Sequence, residues 1–353
     1  MAFLRAAHLL VCSETRAQRQ QLVAALEAAL APLVAGGRVE HVASHDPSEL
    51  VAGGQLASLI DTNAASLDDE QMRPLVRALH VRQLSNALKH LEALKRVAAL
   101  PPPPAGESGN GIGIGRFALV VEDDAVFGDS MADALRRAAA DAPADAGLVF
   151  VGLPSTRLPP PGSTASLFDD PLALFPGNVL PACESYLVSQ EAARRLVGAF
   201  LPVRMPTNAQ LAYLLRRELR VGAATPSGPF RSYVAVPNAF ADGSKVGVAT
   251  SSIETNNQLV WNQVYCLASE LLRSGKADKK QLQRDFEELW QKQPFKDHPD
   301  CVVQLADQLS SCGRYGEAQD AYERALKEYG ARNCVVNTNS EFMRRYMATY
   351  GKV

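Results

Sequence analysis

The chain reads as an α/β protein over residues 1–252 followed by an all-α helical region over residues 253–353. Three observations predict this. A strand–helix–strand unit opens the chain, which is the usual start of a nucleotide-binding α/β sheet. An apolar strand beginning at Phe117 runs without a break into Glu122, Asp123 and Asp124. From Thr255 onward the strand signals stop and long helical patterns take over.

The elements follow in order. His8–Cys12 is the first strand. A helix follows, with Leu22, Val23, Leu26 and Leu30 at helical spacing behind a Ser13/Thr15 start signal. Arg16 and Arg19 sit in its first turns, where they could meet a diphosphate, although arginines on a solvated helix face are the commoner case. After the Gly36-Gly37 turn, Arg38–Ala43 is the second strand. Leu67–Leu100 reads as one long helical stretch broken near His80, with Ser66 and Asp69 as its N-cap pair. Leu84, Leu88, Leu91 and Leu94 form an apolar stripe on it, and Asn86 and His90 share another face. Pro101–Gly115 is a Pro- and Gly-rich loop, expected to be mobile. Its GIGIG precedes a strand, whereas a phosphate loop follows one, so it is not read as a phosphate loop.

Beyond the acidic triplet, Ser130 with Asp133 starts a helix that runs through Ala140, and Gly147–Leu153 is a buried strand. Pro154–Asn178 is a proline-rich, non-periodic loop long enough to fold over a substrate. Glu184–Ser189 is a strand, and Ser189 caps the next helix. Thr207 and Gln210 make a capping box for the helix after that, and Arg231–Val236 is the final strand. Further on, His298–Gly330 pairs a helix, a glycine-containing turn and a second helix, spaced like one tetratricopeptide-type unit; Gln258–Trp290 is a weaker pair. Plain helix packing explains the same spacing.

Composition narrows the function classes. With 36 basic and 38 acidic residues, net charge −2, nothing favours nucleic acid or an anionic membrane as a partner. The six cysteines are scattered without zinc-like spacing, which fits reduced thiols and a cytoplasmic location. No run reaches the roughly 18 apolar residues of a membrane helix.

The acidic triplet carries the chemistry. Three adjacent carboxylates at the rim of an apolar core repel one another, so something positive should hold them. A hard divalent cation with oxygen ligands, Mn²⁺ or Mg²⁺ completed by phosphates, is one answer. An acidic strand end that is solvated or caps a helix is the other. Alternation along an unbroken strand would put Glu122 and Asp124 on one side and Asp123 on the other.

Several segments, in order, resemble the family-25 glycosyltransferases, the group of lipooligosaccharide and collagen galactosyltransferases. They are HLLVCSETRAQRQQL, LSNALKHLEALKRVA, FALVVEDDAVF, GLVFVGL, CESYLVSQEAARRLV, MPTNAQLAYLL and VPNAFADGSKVGVATSSI. The resemblance covers about the first 250 residues. It implies a GT-A-type, Rossmann-like domain that binds a UDP-sugar donor and passes a hexose, such as galactose or glucose, to a hydroxyl of a glycan or protein acceptor. By carry-over, Glu122, Asp123 and Asp124 are the metal residues, with Asp124 also counted as catalytic. Arg16, His90, Asp123 and Tyr186 are cofactor-binding, and Asn208 stands at the family's catalytic Asp position. Two positions depart from the family pattern. Lys89 replaces the usual Ser before His90, and Asn208 replaces the Asp. An amide cannot take a proton from an acceptor hydroxyl; Asp169, Asp170 or Glu184 are substitutes. The alternative reading is a catalytically degenerate transferase domain that binds and scaffolds, with the C-terminal helices as a surface for a protein partner.

Overall fold

The computed structural model describes residues 2–12, 16–53, 56–76, 79, 81–101, 115–153, 159, 162–175, 180, 182–222 and 228–243, and, further on, 302, 306, 309–310, 314–331, 341–350 and 352. Its centre is a seven-stranded sheet in the order β2-β1-β3-β7-β5-β8-β6. The strands are β1 (Ala7–Leu10), β2 (Val39–Val42), β3 (Phe117–Glu122), β5 (Ala146–Phe150), β6 (Leu167–Asp169), β7 (Ser185–Ser189) and β8 (Arg231–Val236). β2, β1, β3, β5 and β8 run one way; β7 and the edge strand β6 run the other. A two-stranded ribbon, β4 (Ala125–Phe127) with β9 (Phe240–Asp242), extends from the end of β3.

The strands are apolar on both faces because both faces are covered by helices. Along β3, Phe117, Leu119 and Val121 enter one core and Ala118 and Val120 the other. The first core packs against α1 (Arg16–Leu30) and α5 (Met131–Asp141). The second packs against α4 (Val81–Ala98), α7 (Gln190–Phe200) and α8 (Thr207–Val221); α2 (Pro47–Ala52), α3 (Leu56–Leu59) and α6 (Pro171–Leu174) are the short helices in between along the chain. Val23, Leu26 and Leu30 are the buried stripe of α1, and Leu84, Leu88, Leu91 and Leu94 that of α4. The Gly36-Gly37 turn holds both residues at positive φ (79° and 70°), a conformation open to glycine at little cost.

The structure departs from the sequence reading at four places. The helix before the acidic strand begins at Val81, at the break expected near His80, but the part expected to be helical from Leu67 onward is not an α-helix among its described residues. Residues upstream form two short 3-10 turns, Ala64–Ser66 and Arg73–Leu75, because Asp69 is drawn off to Arg216 and Arg220 of α8 instead of capping a helix. The proline-rich loop contributes the edge strand β6, paired with β8, and the short helix Pro171–Leu174. Thr207 and Gln210 make no capping box: Thr207 donates its hydroxyl to Asn86, and the Gln210 amide serves the backbone of Arg204 and Phe200. β8 is not the last strand, since β9 follows it. Ser189 does cap α7, accepting from the Ala192 N–H at 3.2 Å.

In the C-terminal part, the helices Tyr315–Ala331 and Glu341–Tyr350 pack around Ala318, Tyr322, Ala325 and Tyr346. The 252/253 boundary, the Gln258–Trp290 pair and the Pro101–Gly115 loop beyond its two ends lie outside the described residues. Among the described residues no helix is long and apolar enough to cross a membrane.

Candidate functional site

β1 stands between β2, which follows it in the chain, and β3. The connection from β1 runs to β2 on one side and that from β3 runs on to β5 on the other, so the gap beyond the carboxyl ends of β1 and β3 is the topological switch point where open α/β sheets bind ligands. A small cleft, open to solvent, lies there. It is lined by Leu10 and Cys12 from β1's end, Glu122 and Asp123 from β3's end, Pro47, and Arg82, Ser85, Asn86 and Lys89 from the first turns of α4. Lys89 is buried and bound to Asp46 at 2.6 Å.

The triplet does not converge on one point. β3 ends at Glu122, and the chain turns through Asp123 and Asp124 into β4, so strict alternation no longer governs these two side chains. Both point to Arg19: its Nη1 donates to Asp123 Oδ1, and its Nη2 donates to Asp124 Oδ2 at 3.2 Å. Asp123 Oδ2 also accepts from the Cys12 N–H at 3.0 Å. The positive group demanded by the sequence is thus partly supplied by a buried arginine of α1, not a residue on a solvated helix face.

The charge balance remains negative. Burial alone would lower the Arg19 pKa, but Asp124 and Asp123 outweigh it and hold the guanidinium charged. One arginine cannot satisfy all the carboxylates around it. Burial, followed by repulsion from Glu122, pushes Asp124 well above the ordinary carboxylate range, with Arg19 opposing. Asp123 is also raised by burial, against the pull of Arg19 and the Cys12 N–H. Asp242 adds to the repulsion on Asp124. The β4–β9 ribbon brings it there by pairing Ala125 with Asp242. Asp242 was absent from the sequence candidates; its position in the FADG segment after Pro237 was the available signal. Asp124 Oδ1 is buried and has no hydrogen-bond partner among the described residues.

Glu122 turns the other way. Its Oε1 lies 3.0 Å from His90 Nε2 and 4.0 Å from Cys183 Sγ. Tyr186 is fully buried behind His90, with its hydroxyl 3.0 Å from Nδ1 and the rings stacked at 5.7 Å. Burial, and then Cys183 and Glu122, raise the Tyr186 phenol well above its ordinary pKa, so it stays protonated. His90 and Tyr186 are therefore not among the residues that line the cleft; they reach it through Glu122. His90, Glu122 and Cys183 form a buried group that could hold a metal ion.

No protein-family model matches the chain, and no curated protein matches it.

The remaining predicted residues are dispersed. Asn208, in the first turn of α8, donates its amide to the Leu180 carbonyl at 2.8 Å and accepts from the Ala209 N–H at 2.9 Å. Of the substitutes for the missing carboxylate, Asp169 and Asp170 belong to β6 and the cap of the short helix after it. That edge of the sheet is separated from the cleft by β7, β5 and β8. Glu184 is nearer, its carbonyl accepting from the Glu122 N–H at 2.7 Å. The side chain of Arg16 lies outside the described residues.

Proposed function

We propose that the chain is a metal-dependent hexosyltransferase of the family-25, GT-A type, which binds a UDP-sugar at the cleft beyond β1 and β3 and transfers the sugar to a glycan or protein hydroxyl. The observation that carries this reading is the coincidence of that cleft with the topological switch point and with the acidic end of β3. A Mn²⁺ or Mg²⁺ ion fits Asp124, whose free Oδ1 is buried among unbalanced carboxylates, with Asp123 and Asp242 beside it. Held there, a divalent cation would stabilise the charge that develops on a leaving nucleoside diphosphate. Asp123 and Glu122 present carboxylates at the cleft, while Arg82 and the Asp46-paired Lys89 stand on its α4 side. Transfer breaks the bond between the sugar's anomeric carbon and the diphosphate and forms one to the acceptor oxygen. The acceptor's proton then requires a base that Asn208 cannot be.

A second reading, a transferase-like domain that binds without turnover, is favoured by Asn208: both ends of its amide are engaged with backbone. Calorimetry of UDP binding with and without Mn²⁺, paired with a screen of nucleotide sugars for metal-dependent hydrolysis, separates the readings. Binding with hydrolysis supports the enzyme, binding without it the scaffold, and no metal-dependent UDP binding removes both.

A further inference from the structure

We propose that His90, Glu122 and Cys183 form a binding site for a zinc-class divalent cation, separate from the Arg19–Asp123–Asp124 cluster. The three ligand atoms lie within 4.8 Å of one another. They come from three parts of the fold: α4, the last residue of β3, and the segment just before β7. An ion there would pin the end of β3 to α4 and to the segment before β7. A tetrahedral ion with bonds of about 2.0–2.3 Å to nitrogen, oxygen and sulfur has ligand-to-ligand edges of roughly 3.3–3.7 Å. The observed 3.0 Å from His90 Nε2 to Glu122 Oε1 and 4.0 Å from Cys183 Sγ to the same oxygen bracket those edges. Side-chain adjustments of a few tenths of an ångström complete the geometry.

The donor set selects the ion. Mg²⁺ and Ca²⁺ take oxygen ligands, whereas an imidazole and a thiolate beside a carboxylate suit Zn²⁺ and its neighbours Co²⁺ and Cd²⁺. Ligating histidines are usually oriented through their second nitrogen, and the Tyr186 hydroxyl stands 3.0 Å from His90 Nδ1 in that role. Three protein ligands leave one position open. His90 and Cys183 are buried and Glu122 lines the cleft, so the ion enters from the cleft side. A hydrogen bond between His90 and Glu122 would by itself explain the 3.0 Å contact, but it does not call for a cysteine beside the same oxygen. The site stands whether or not the protein transfers a sugar.

The test uses the full chain and Co²⁺ as the probe, without nucleotide. One equivalent of Co²⁺ should produce a thiolate-to-metal charge-transfer absorption that Zn²⁺ abolishes by displacement. Cys183→Ser should remove the absorption; Cys12→Ser, which changes the other cysteine near the cleft, should retain it. Tyr186→Phe should weaken Co²⁺ affinity roughly 10- to 100-fold while keeping the absorption. If Cys183→Ser fails to fold, His90→Gln provides the same readout. Absence of the absorption in the parent, or its persistence in Cys183→Ser, overturns the assignment. Because no nucleotide is present, that failure leaves the UDP reading untouched.

Discussion

Arg19 of the first helix and Asp123 at the end of the third strand form a buried ion pair across 104 positions of sequence. The pair, extended to Asp124, ties α1 to the chain just past β3 beside the cleft. It also explains how three consecutive carboxylates persist at the rim of a core. The guanidinium takes two of them and leaves Glu122 to His90.

Removing that cation should be costly. Arg19→Met leaves Asp123 and Asp124 buried without their counter-charge, and breaking a buried pair from one side costs about 3–5 kcal/mol. Urea unfolding measures the loss. If these carboxylates also accept a hard cation, Mn²⁺ should restore more stability to the variant than it adds to the parent. Equal Mn²⁺ effects on both proteins would place the cation elsewhere.

Asp124→Asn tests the proposed donor site without emptying the space. The variant should fold, since a buried raised-pKa carboxyl is replaced by a neutral group of the same shape. It should lose Mn²⁺-dependent UDP binding in calorimetry, and any turnover should fall roughly 10²-fold or more. UDP binding as tight as the parent's would rule Asp124 out as a metal residue.

Asn208→Asp puts a carboxylate where the amide now donates to the Leu180 carbonyl. The variant loses that hydrogen bond and sets two acceptors against each other, so it should be destabilised by about 1–3 kcal/mol. Thermal melting checks this. An increase in donor hydrolysis in the same variant would show that the position can still serve as a base and would count against the scaffold reading.

His8 predicts an acid limb in the stability profile. Burial in β1 lowers its pKa from the ordinary 6.5 to about 4, against the weaker pull of Glu40. The folded chain therefore favours the neutral ring, while the unfolded chain takes up a proton below pH 6.5. The contribution is fully present above pH 6.5 and declines as pH falls toward about 4, by about 3 kcal/mol in all. Urea midpoints measured across this range should fall more steeply for the parent than for His8→Leu. Parallel curves would mean that the ring is already solvated.

Local pattern alone determined β1, β3, β7 and β8 to within a residue or two, together with the buried stripes of α1 and α4. Alternation and helical spacing are properties of neighbouring residues and need no knowledge of the rest of the chain. The same holds for the place of Glu122, Asp123 and Asp124 at a strand end. What surrounds those carboxylates was decided only by the tertiary structure. Arg19, His90 and Asp242 reach them through helix packing, sheet order and the β4–β9 ribbon, over separations that no periodicity records. Side-chain partners chosen at such range also overrode local capping signals. Asp69 went to Arg216 and Arg220, Thr207 to Asn86, and the expected helix start and capping box did not form. In the proline-rich loop, the strand β6 needed the edge of β8 to pair with, and a strand that short has no stability until that partner exists.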